Sequence, residues 1–192
     1  MVALKQQNWT AKKFLEWSAG RSKKYELENG EIIEMAAEKA RHALMKHAAT
    51  SALQAAIAEA DLPCAVFPDG MTVIVDEKNV RLPDAAVQCA PINLDSTVLD
   101  QPLILLEVTS PSSVYRDENH KLVEYFLIPS VAHYLLLSPD QRIVIHFQRG
   151  SHPGKIDTRI MSEGRIELSP PGFSVEVSDL LGSVPANAIV RK

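Results

Sequence analysis

Two acidic residues stand out because each lies in an apolar, strand-like segment. Asp84 follows a proline in LPDAAV, and Glu107 is the one charged residue of LILLEVTS. A buried carboxylate is costly without a partner, so an interior strand rarely carries one without a reason. If the two segments form neighbouring strands, both carboxylates can approach one cation. Hard oxygen ligands of this kind suit Mg2+ or Mn2+.

Both acids also have purely structural interpretations. Asp84 after Pro83 could end or kink an edge strand, where proline is common. Glu107 could form a buried salt bridge to Lys121 or Arg116. A third hypothesis is therefore an unrelated α/β scaffold whose two acids are structural, and it predicts carboxylates too far apart to share an ion.

The segments around the two acids predict a mixed α/β fold. A helix is expected over 11–19, a hairpin over 25–35 with its turn at Asn29-Gly30, and a long helix over 37–60. The later elements are expected as strands at 64–68, 71–76, 81–89 and 103–109, a helix at 114–127, strands at 131–138, 142–149, 157–162 and 164–168, and a short helix near Leu180. The order is not a regular βαβ alternation. It predicts a central mixed sheet flanked by helices, with an N-terminal helix and hairpin and an antiparallel C-terminal extension.

Length and composition are those of one globular domain. The 192 residues are 46% apolar and 23% charged, which favours a single domain over 1–192 with its core at about 25–150. The net charge of -4 argues against a protein that coats nucleic acid generally. It does not exclude a nuclease, because an acidic metal site lowers the net charge while local Lys and Arg residues bind phosphates.

Cysteine usage and hydropathy favour a cytoplasmic protein. Cys64 and Cys89 lack metal-ligand spacing, and the sequence predicts two reduced cysteines in the core. Residues 1–9 contain no apolar signal region, and the longest apolar run, 103–106, is too short to cross a bilayer. No glycine-rich phosphate loop is present, so nucleotide binding lacks its usual motif.

The pair LPDAAV and LLEVTS resembles the Asp and (Asp/Glu)-x-Lys elements of the PD-(D/E)XK nuclease superfamily. The chain is similar in particular to a large, poorly characterised bacterial family described as restriction endonucleases. The likeness rests on YELENGEIIEM, a helix that begins near His42, EVTSPSS, YRDENHKLVEYF and VAHYLLL, in that order over residues 10–150. The resemblance implies a restriction-endonuclease-like fold that hydrolyses DNA phosphodiester bonds with a divalent metal.

The chain departs from the superfamily at the motif's lysine. That residue is expected two positions after Glu107, where Thr109 stands instead. In the family that the chain resembles, the lysine comes from the following helix, and Lys121 is the matching residue. Asp117, Lys121 and Tyr125 are spaced four apart and would share one face of that helix.

The resemblance implies a role for each of these residues. Asp84 and Glu107 would bind Mg2+ or Mn2+ and act in catalysis with Lys121, which would position or activate the attacking water. Glu26, and less readily Glu28, would add a carboxylate from the hairpin. Asp117 and Tyr125 would be accessory residues of the same site.

A rival hypothesis is a catalytically degenerate nuclease-fold module that binds nucleic acid or protein. The threonine in place of the lysine and the acidic net charge favour it. DNA is the expected partner of the nuclease, and no membrane is expected. A homodimer is expected from base rates, with the apolar segments VAHYLLLS and RIVIHFQ as its contacts.

Overall fold

Four helices and twelve strands form the described part of the chain. The computed structural model describes residues 8–109 and 120–183. Its helices are α1 (Ala11–Ser18), α2 (Ala40–Glu59), α3 (Leu122–Leu127) and α4 (Val177–Leu181). Its strands are β1 (Tyr25–Glu28), β2 (Glu31–Glu34), β3 (Ala65–Pro68), β4 (Val73–Asp76), β5 (Asn79–Arg81), β6 (Ala85–Gln88), β7 (Ile104–Val108), β8 (His133–Ser138), β9 (Ile143–Arg149), β10 (Ile156–Met161), β11 (Arg165–Leu168) and β12 (Phe173–Glu176).

A six-stranded mixed sheet is the centre of the fold. Its strand order is β10-β9-β8-β7-β6-β3, with β7 and β8 parallel and the other neighbours antiparallel. The parallel pair requires a crossover, and α3 lies on it. The inner face of α2 (Met45, Ala49, Leu53 and Ile57) packs on one side of the sheet, and Tyr125 of α3 packs on the other.

Two smaller sheets flank the central one. The order β2-β1-β5-β4 forms a four-stranded sheet, and Phe14 of α1 packs on its residues Leu27 and Val80. The β1–β2 hairpin turns through Asn29 and Gly30 with φ of 51° and 79°, the positive values that an Asn-Gly turn accommodates. The β11–β12 hairpin and α4 complete the apolar core beside α2.

The mixed central sheet flanked by helices confirms the predicted fold class. The expected strand over 81–89 is wrong in detail, because it divides into β5 and β6, which belong to different sheets. Pro83 lies in the break, where a missing N–H cannot join a strand ladder. The segments 64–68 and 71–76 also lie in different sheets as β3 and β4, and β12 was not expected. Of the helix expected over 114–127, residues 120–127 are described, and α3 covers Leu122–Leu127 of them.

The expectation of two reduced cysteines is wrong. Cys64 and Cys89 form a disulfide that links the ends of β3 and β6. The physical reason is the strand register: Ala65 pairs with Gln88, so the next position places the two cysteines opposite each other. A sequence separation of 25 residues gave no sign of this pairing.

The apolar segments expected to form a dimer contact are interior strands. They correspond to β8 and β9, each of which has a neighbour on both sides in the sheet. Both strands are rich in core residues, so their apolar character reflects burial within one chain. Among the described residues, no helix combines the length and hydrophobicity needed to span a bilayer.

Candidate active site

Glu107 lies in β7, and Asp84 immediately precedes the neighbouring strand β6. β6 and β7 are antiparallel with Ala85 opposite Leu106, so Asp84 and Glu107 each lie one position beyond that pair, at the same end of the ladder. The two segments therefore form neighbouring strands, which is the condition for both carboxylates to approach one cation. Both residues are buried, with 7% and 4% of their surface exposed, and both line the same cavity.

Asp84 is held by the backbone and by helix α2. The N–H of Val108 donates to its Oδ2 at 2.8 Å, and His42 Nε2 lies 3.3 Å from the same oxygen. The Nζ of Lys46 lies 3.5 Å from Oδ1. Burial alone would raise the pKa of Asp84, but the hydrogen bond and charge of His42, with the Val108 N–H, outweigh it and lower the pKa.

His42 connects Asp84 to the first turn of α2. Its Nε2 lies 2.7 Å from the carbonyl oxygen of Val108, and its Nδ1 lies 2.8 Å from Glu38 Oε2. Burial opposes a charge on the ring, yet the hydrogen bonds to Asp84 and Glu38 raise the pKa of His42 to about 9. The imidazolium form can donate at both nitrogens, to the carbonyl and to Glu38.

Glu107 receives two donors from the segment at α3. Lys121 Nζ and the Tyr125 hydroxyl lie 2.8 Å and 2.5 Å from its Oε1. The two donors are one helical turn apart, as the predicted spacing required. Lys121 therefore lies close to the Glu107 strand, as expected. Tyr125 contacts the same carboxylate oxygen and is fully buried. The predicted accessory residue Asp117 lies outside the described residues.

Glu26 joins the same group of charges from β1. Its Oε1 accepts from the N–H of Leu82 at 3.1 Å and lies 3.1 Å from Lys121 Nζ. Although burial opposes its charge, Lys121 and Arg81 lower the pKa of Glu26. Lys121 thus lies between two carboxylates, Glu26 and Glu107.

Arg81 forms a further layer of this network. Its side chain has no exposed surface, and its Nε and a terminal nitrogen donate to the two oxygens of Glu124 at 2.5 and 2.7 Å. It also lies 3.4 Å from Glu26 and 3.6 Å from Glu28. Glu28, the weaker accessory candidate, therefore pairs with Arg81.

The cavity that these groups line has a volume of about 530 Å³. Its walls come from the β1–β2 hairpin, the start of α2, and the ends of β6 and β7. Among the described residues, the charged side chains on its lining are seven acids and five bases: Glu26, Glu34, Glu38, Asp69, Asp84, Glu107, Asp140, Lys24, Lys39, Arg41, Lys46 and Lys121. With His42 protonated, these acids outnumber the cations of the same described part by one.

The donor set suits a magnesium-like ion. Within residues 8–109 and 120–183, no three His, Cys, Asp or Glu side chains converge as a ready-made metal cage. Mg2+ does not need such a cage, because it usually keeps several waters and binds one or two carboxylates together with substrate phosphates. Asp84 and Glu107 offer two hard oxygen ligands beside a cavity with room for water. The residues present therefore fit such an ion.

Sequence reasoning missed His42 and Lys46 as partners of Asp84. The sequence indicates His42 only as a residue near the start of a helix. The spacing of Glu38, His42 and Lys46, four residues apart, placed them on one helix face. It did not show that this face lies over Asp84, which depends on how α2 packs on the sheet.

The mixed central sheet flanked by helices is a restriction-endonuclease-like fold. A family model described as "Putative restriction endonuclease" matches residues 11–181. The chain belongs to that family, Uma2. This membership confirms the family and fold that the sequence motifs resembled.

Two individual proteins are similar over most of their length. The "Uncharacterized protein slr1290" of Synechocystis is 24% identical over 166 residues, covering 85% of this chain and 86% of that protein. A crystal structure from Anabaena variabilis, described as "a putative nuclease belonging to DUF820", superposes with a TM-score of 0.71. It covers 90% of this chain and 97% of that one at 16% identity, so the likeness is one of fold.

Proposed function

We propose that this protein is a divalent-metal-dependent endonuclease that hydrolyses DNA phosphodiester bonds. The observation that carries the proposal is that Asp84 and Glu107, at the same end of two adjacent strands, line one cavity, with the Lys121 amine on Glu107. Membership of a family described as restriction endonucleases supports the same reaction class.

The side chains of the site have separable tasks. Asp84 and Glu107 would hold Mg2+ or Mn2+, which when bound supplies positive charge to the phosphate and lowers the pKa of water. Lys121 orients water beside Glu107 and offsets negative charge on the phosphate. His42 and the Val108 N–H fix the Asp84 carboxylate, and Glu26 fixes the Lys121 amine. Hydrolysis forms a bond between the water oxygen and phosphorus and breaks one bond between phosphorus and a sugar oxygen. A proton from the water ends on that oxygen, so the products are a phosphomonoester and a sugar hydroxyl.

Positive side chains on the cavity lining support a polyanionic substrate. Lys24, Lys39 and Arg41 lie on the lining and are exposed. Cations of this kind bind phosphates in any nucleic-acid sequence, so they position a strand without selecting its bases. DNA is the substrate that the family description favours.

Cleavage of supercoiled plasmid, linear duplex, single-stranded DNA and RNA tests the proposal directly. We expect DNA cleavage with Mg2+ or Mn2+, and none with EDTA. Asp84→Asn and Glu107→Gln keep the side-chain shapes and should each lower the rate by about 100- to 1000-fold. Asp95→Asn, at an exposed loop carboxylate, is the matched control and should cleave like the wild type.

Two outcomes would contradict the assignment. Cleavage that persists in both site variants after repurification would remove these carboxylates from the reaction. Cleavage of RNA with intact DNA would overturn the substrate. Circular dichroism of each variant separates a loss of rate from a loss of fold.

A second candidate function is nucleic-acid binding without cleavage. The observation that favours it is that protein cations already contact each acid, Lys121 at Glu107 and His42 with Lys46 at Asp84. Metal binding by titration calorimetry together with DNA binding by gel shift, and no product on any substrate, would support this function in place of the nuclease.

A further inference from the structure

The two edges of the central sheet are built differently. At one edge, β3 has four residues, ends at Pro68, and is tied to its neighbour by the Cys64–Cys89 disulfide. At the other edge, β10 has six residues and no proline, and none of the described strands pairs with its outer side. An unpaired strand of this length presents backbone N–H and C=O groups to another strand.

The side chains of β10 are exposed and alternate in character. Its four central residues, Asp157, Thr158, Arg159 and Ile160, are all exposed, and Ile160 shows 67% of its surface. Thr158 and Ile160 are opposite Phe147 and Ile145 of β9, whereas Arg159 is opposite His146. The strand therefore carries Ile156, Thr158 and Ile160 on one face and the two charges on the other.

We propose that two copies of this chain pair antiparallel through β10, with the two-fold axis at Thr158. In this register Asp157 lies opposite Arg159 of the second copy, and Ile156 lies opposite Ile160 of the second copy. Thr158 lies opposite its own equivalent. Opposite charges, apolar pairs and Thr–Thr pairs are all stabilising across antiparallel strands. Symmetry makes the charge pair and the isoleucine pair each occur twice.

Charge complementarity selects this register over its neighbours. An axis at Arg159 would place two arginines directly opposite each other, and an axis at Asp157 would do the same with two aspartates. Like charges in directly opposed positions destabilise a strand pair. The Lys155–Asp157 ion pair within one chain, at 3.0 Å, is exposed and weak, so Asp157 can also serve the second copy.

The resulting dimer would have one continuous sheet with six strands from each copy. It would remove the unpaired edge of β10, which natural sheet proteins usually protect. It uses neither Asp84 nor Glu107, so the assembly and the proposed nuclease activity can fail independently. The interior strands β8 and β9, expected from the sequence as dimer contacts, remain within each copy.

A charge exchange tests the pairing. Sedimentation velocity of the wild type over a concentration series should show a species of twice the 21.2 kDa chain mass. Asp157→Arg and Arg159→Asp each create two like-charge pairs and should weaken association by about tenfold or more. The double variant Asp157→Arg with Arg159→Asp restores opposite charges and should return to within about threefold of wild type.

Single cysteines test the register. Thr158→Cys places a thiol opposite its own equivalent and should form a covalent dimer under mild oxidation. Ile160→Cys alone should not, whereas Ile156→Cys with Ile160→Cys should. Because the native cysteines are paired with each other, the added thiol reports the contact. A wild type that stays monomeric at its highest soluble concentration, a charge exchange that restores nothing, or faster crosslinking at 160 than at 158 would overturn the proposal.

Discussion

The two ends of strands β7 and β8 bury polar groups in opposite ways. At the cavity end, Glu107 is next to Leu136, and its Oε1 accepts from the charged Lys121 amine and the neutral Tyr125 hydroxyl. At the other end, His133 begins β8, and its Nδ1 lies 2.9 Å from His146 Nε2. His133 Nε2 lies 2.9 Å from the Pro170 carbonyl oxygen, which can only accept, so Nε2 donates there and Nδ1 accepts from His146.

The surroundings of His133 and His146 favour the neutral form of both rings. Burial lowers the pKa of His133. Burial, together with the repulsion that a protonated His133 and Arg159 would exert, lowers the pKa of His146 to about 4. One proton on each ring completes the hydrogen-bond chain to Pro170. Neither histidine lines the cavity of the candidate site.

The surroundings of the acidic and basic side chains at the cavity end favour their charged forms. The pKa values of Glu26 and Asp84 are lowered in spite of burial, and the pKa of Lys46 is raised by Asp69 and Glu38 against the opposing effect of burial. A buried ion pair is often less stabilising than apolar residues of the same volume, so stability alone is a weak reason to keep one. The two ends therefore differ in that the histidine end buries neutral groups, whereas the cavity end keeps charged groups at the site where we propose that a metal ion and a phosphate bind.

Removing the cation between Glu26 and Glu107 should have the largest effect on stability. Lys121→Met leaves two buried carboxylates without their shared ammonium group, and the expected loss is about 3–5 kcal/mol of unfolding free energy in EDTA. Urea denaturation measures it. Addition of Mg2+ should recover part of the loss, because a cation at Asp84 and Glu107 replaces charge that the lysine supplied.

Lys23→Met is the matched control for that variant. Lys23 also pairs with a glutamate, Glu34, but both side chains are largely exposed. The urea midpoint of the Lys23→Met variant should stay close to the midpoint of the wild type. Addition of Mg2+ should change the two midpoints by the same amount. Equal midpoints for Lys121→Met and Lys23→Met would show that the buried network carries no net stability.

Lowering the pH should reduce the stability of the protein, because the buried His146 is neutral in the folded state. The pKa of His146 is about 4 in the folded protein and 6.5 in its ordinary state, so the unfolded chain takes up the proton first. Stability from this group is complete above about pH 6.5, falls as the pH drops toward 4, and is constant below that. The slope cannot exceed about 1.4 kcal/mol per pH unit for one histidine.

His146→Gln separates this effect from the carboxylates. Glutamine keeps an N–H donor for His133 but does not titrate, so the variant should lose less stability than wild type between pH 6.5 and 4.5. Glu26 and Asp84, whose pKa values are lowered, contribute equally to both proteins and cancel in the difference. Parallel stability curves would mean that folding does not lower the pKa of His146.

The sequence predicted the cavity end better than its surroundings. Asp84 and Glu107 could be found because a single acid in an apolar strand is unusual, and strand pairing then brought them together. Lys121 was found through the family resemblance and the four-residue spacing to Tyr125. These signals are local, or depend on the pairing of two adjacent strands.

Other residues of the site could not be found from local pattern. His42 and Lys46 reach Asp84 only because the first half of α2 lies beside the residue that precedes β6, a tertiary contact that helix periodicity does not reveal. Arg81 was the first residue of a segment predicted as one continuous strand over 81–89. In the structure it ends β5, which belongs to a different sheet from β6. The disulfide likewise followed from the register of β3 and β6, which cysteine spacing did not indicate.

The smallest effect is expected from the hydrogen bond behind Glu107. Tyr125→Phe removes the hydroxyl 2.5 Å from Glu107 Oε1, but Lys121 still contacts that oxygen, so the expected cost is about 1–2 kcal/mol by urea denaturation. Burial and the charge of Glu107 raise the pKa of Tyr125 well above its usual value, so the wild-type hydroxyl stays a donor across the assay range. Tyr25→Phe, at a half-buried tyrosine outside the site, is the control and should cost less. If both variants lose the same stability, the Tyr125 hydroxyl contributes nothing specific to the charged end of the sheet.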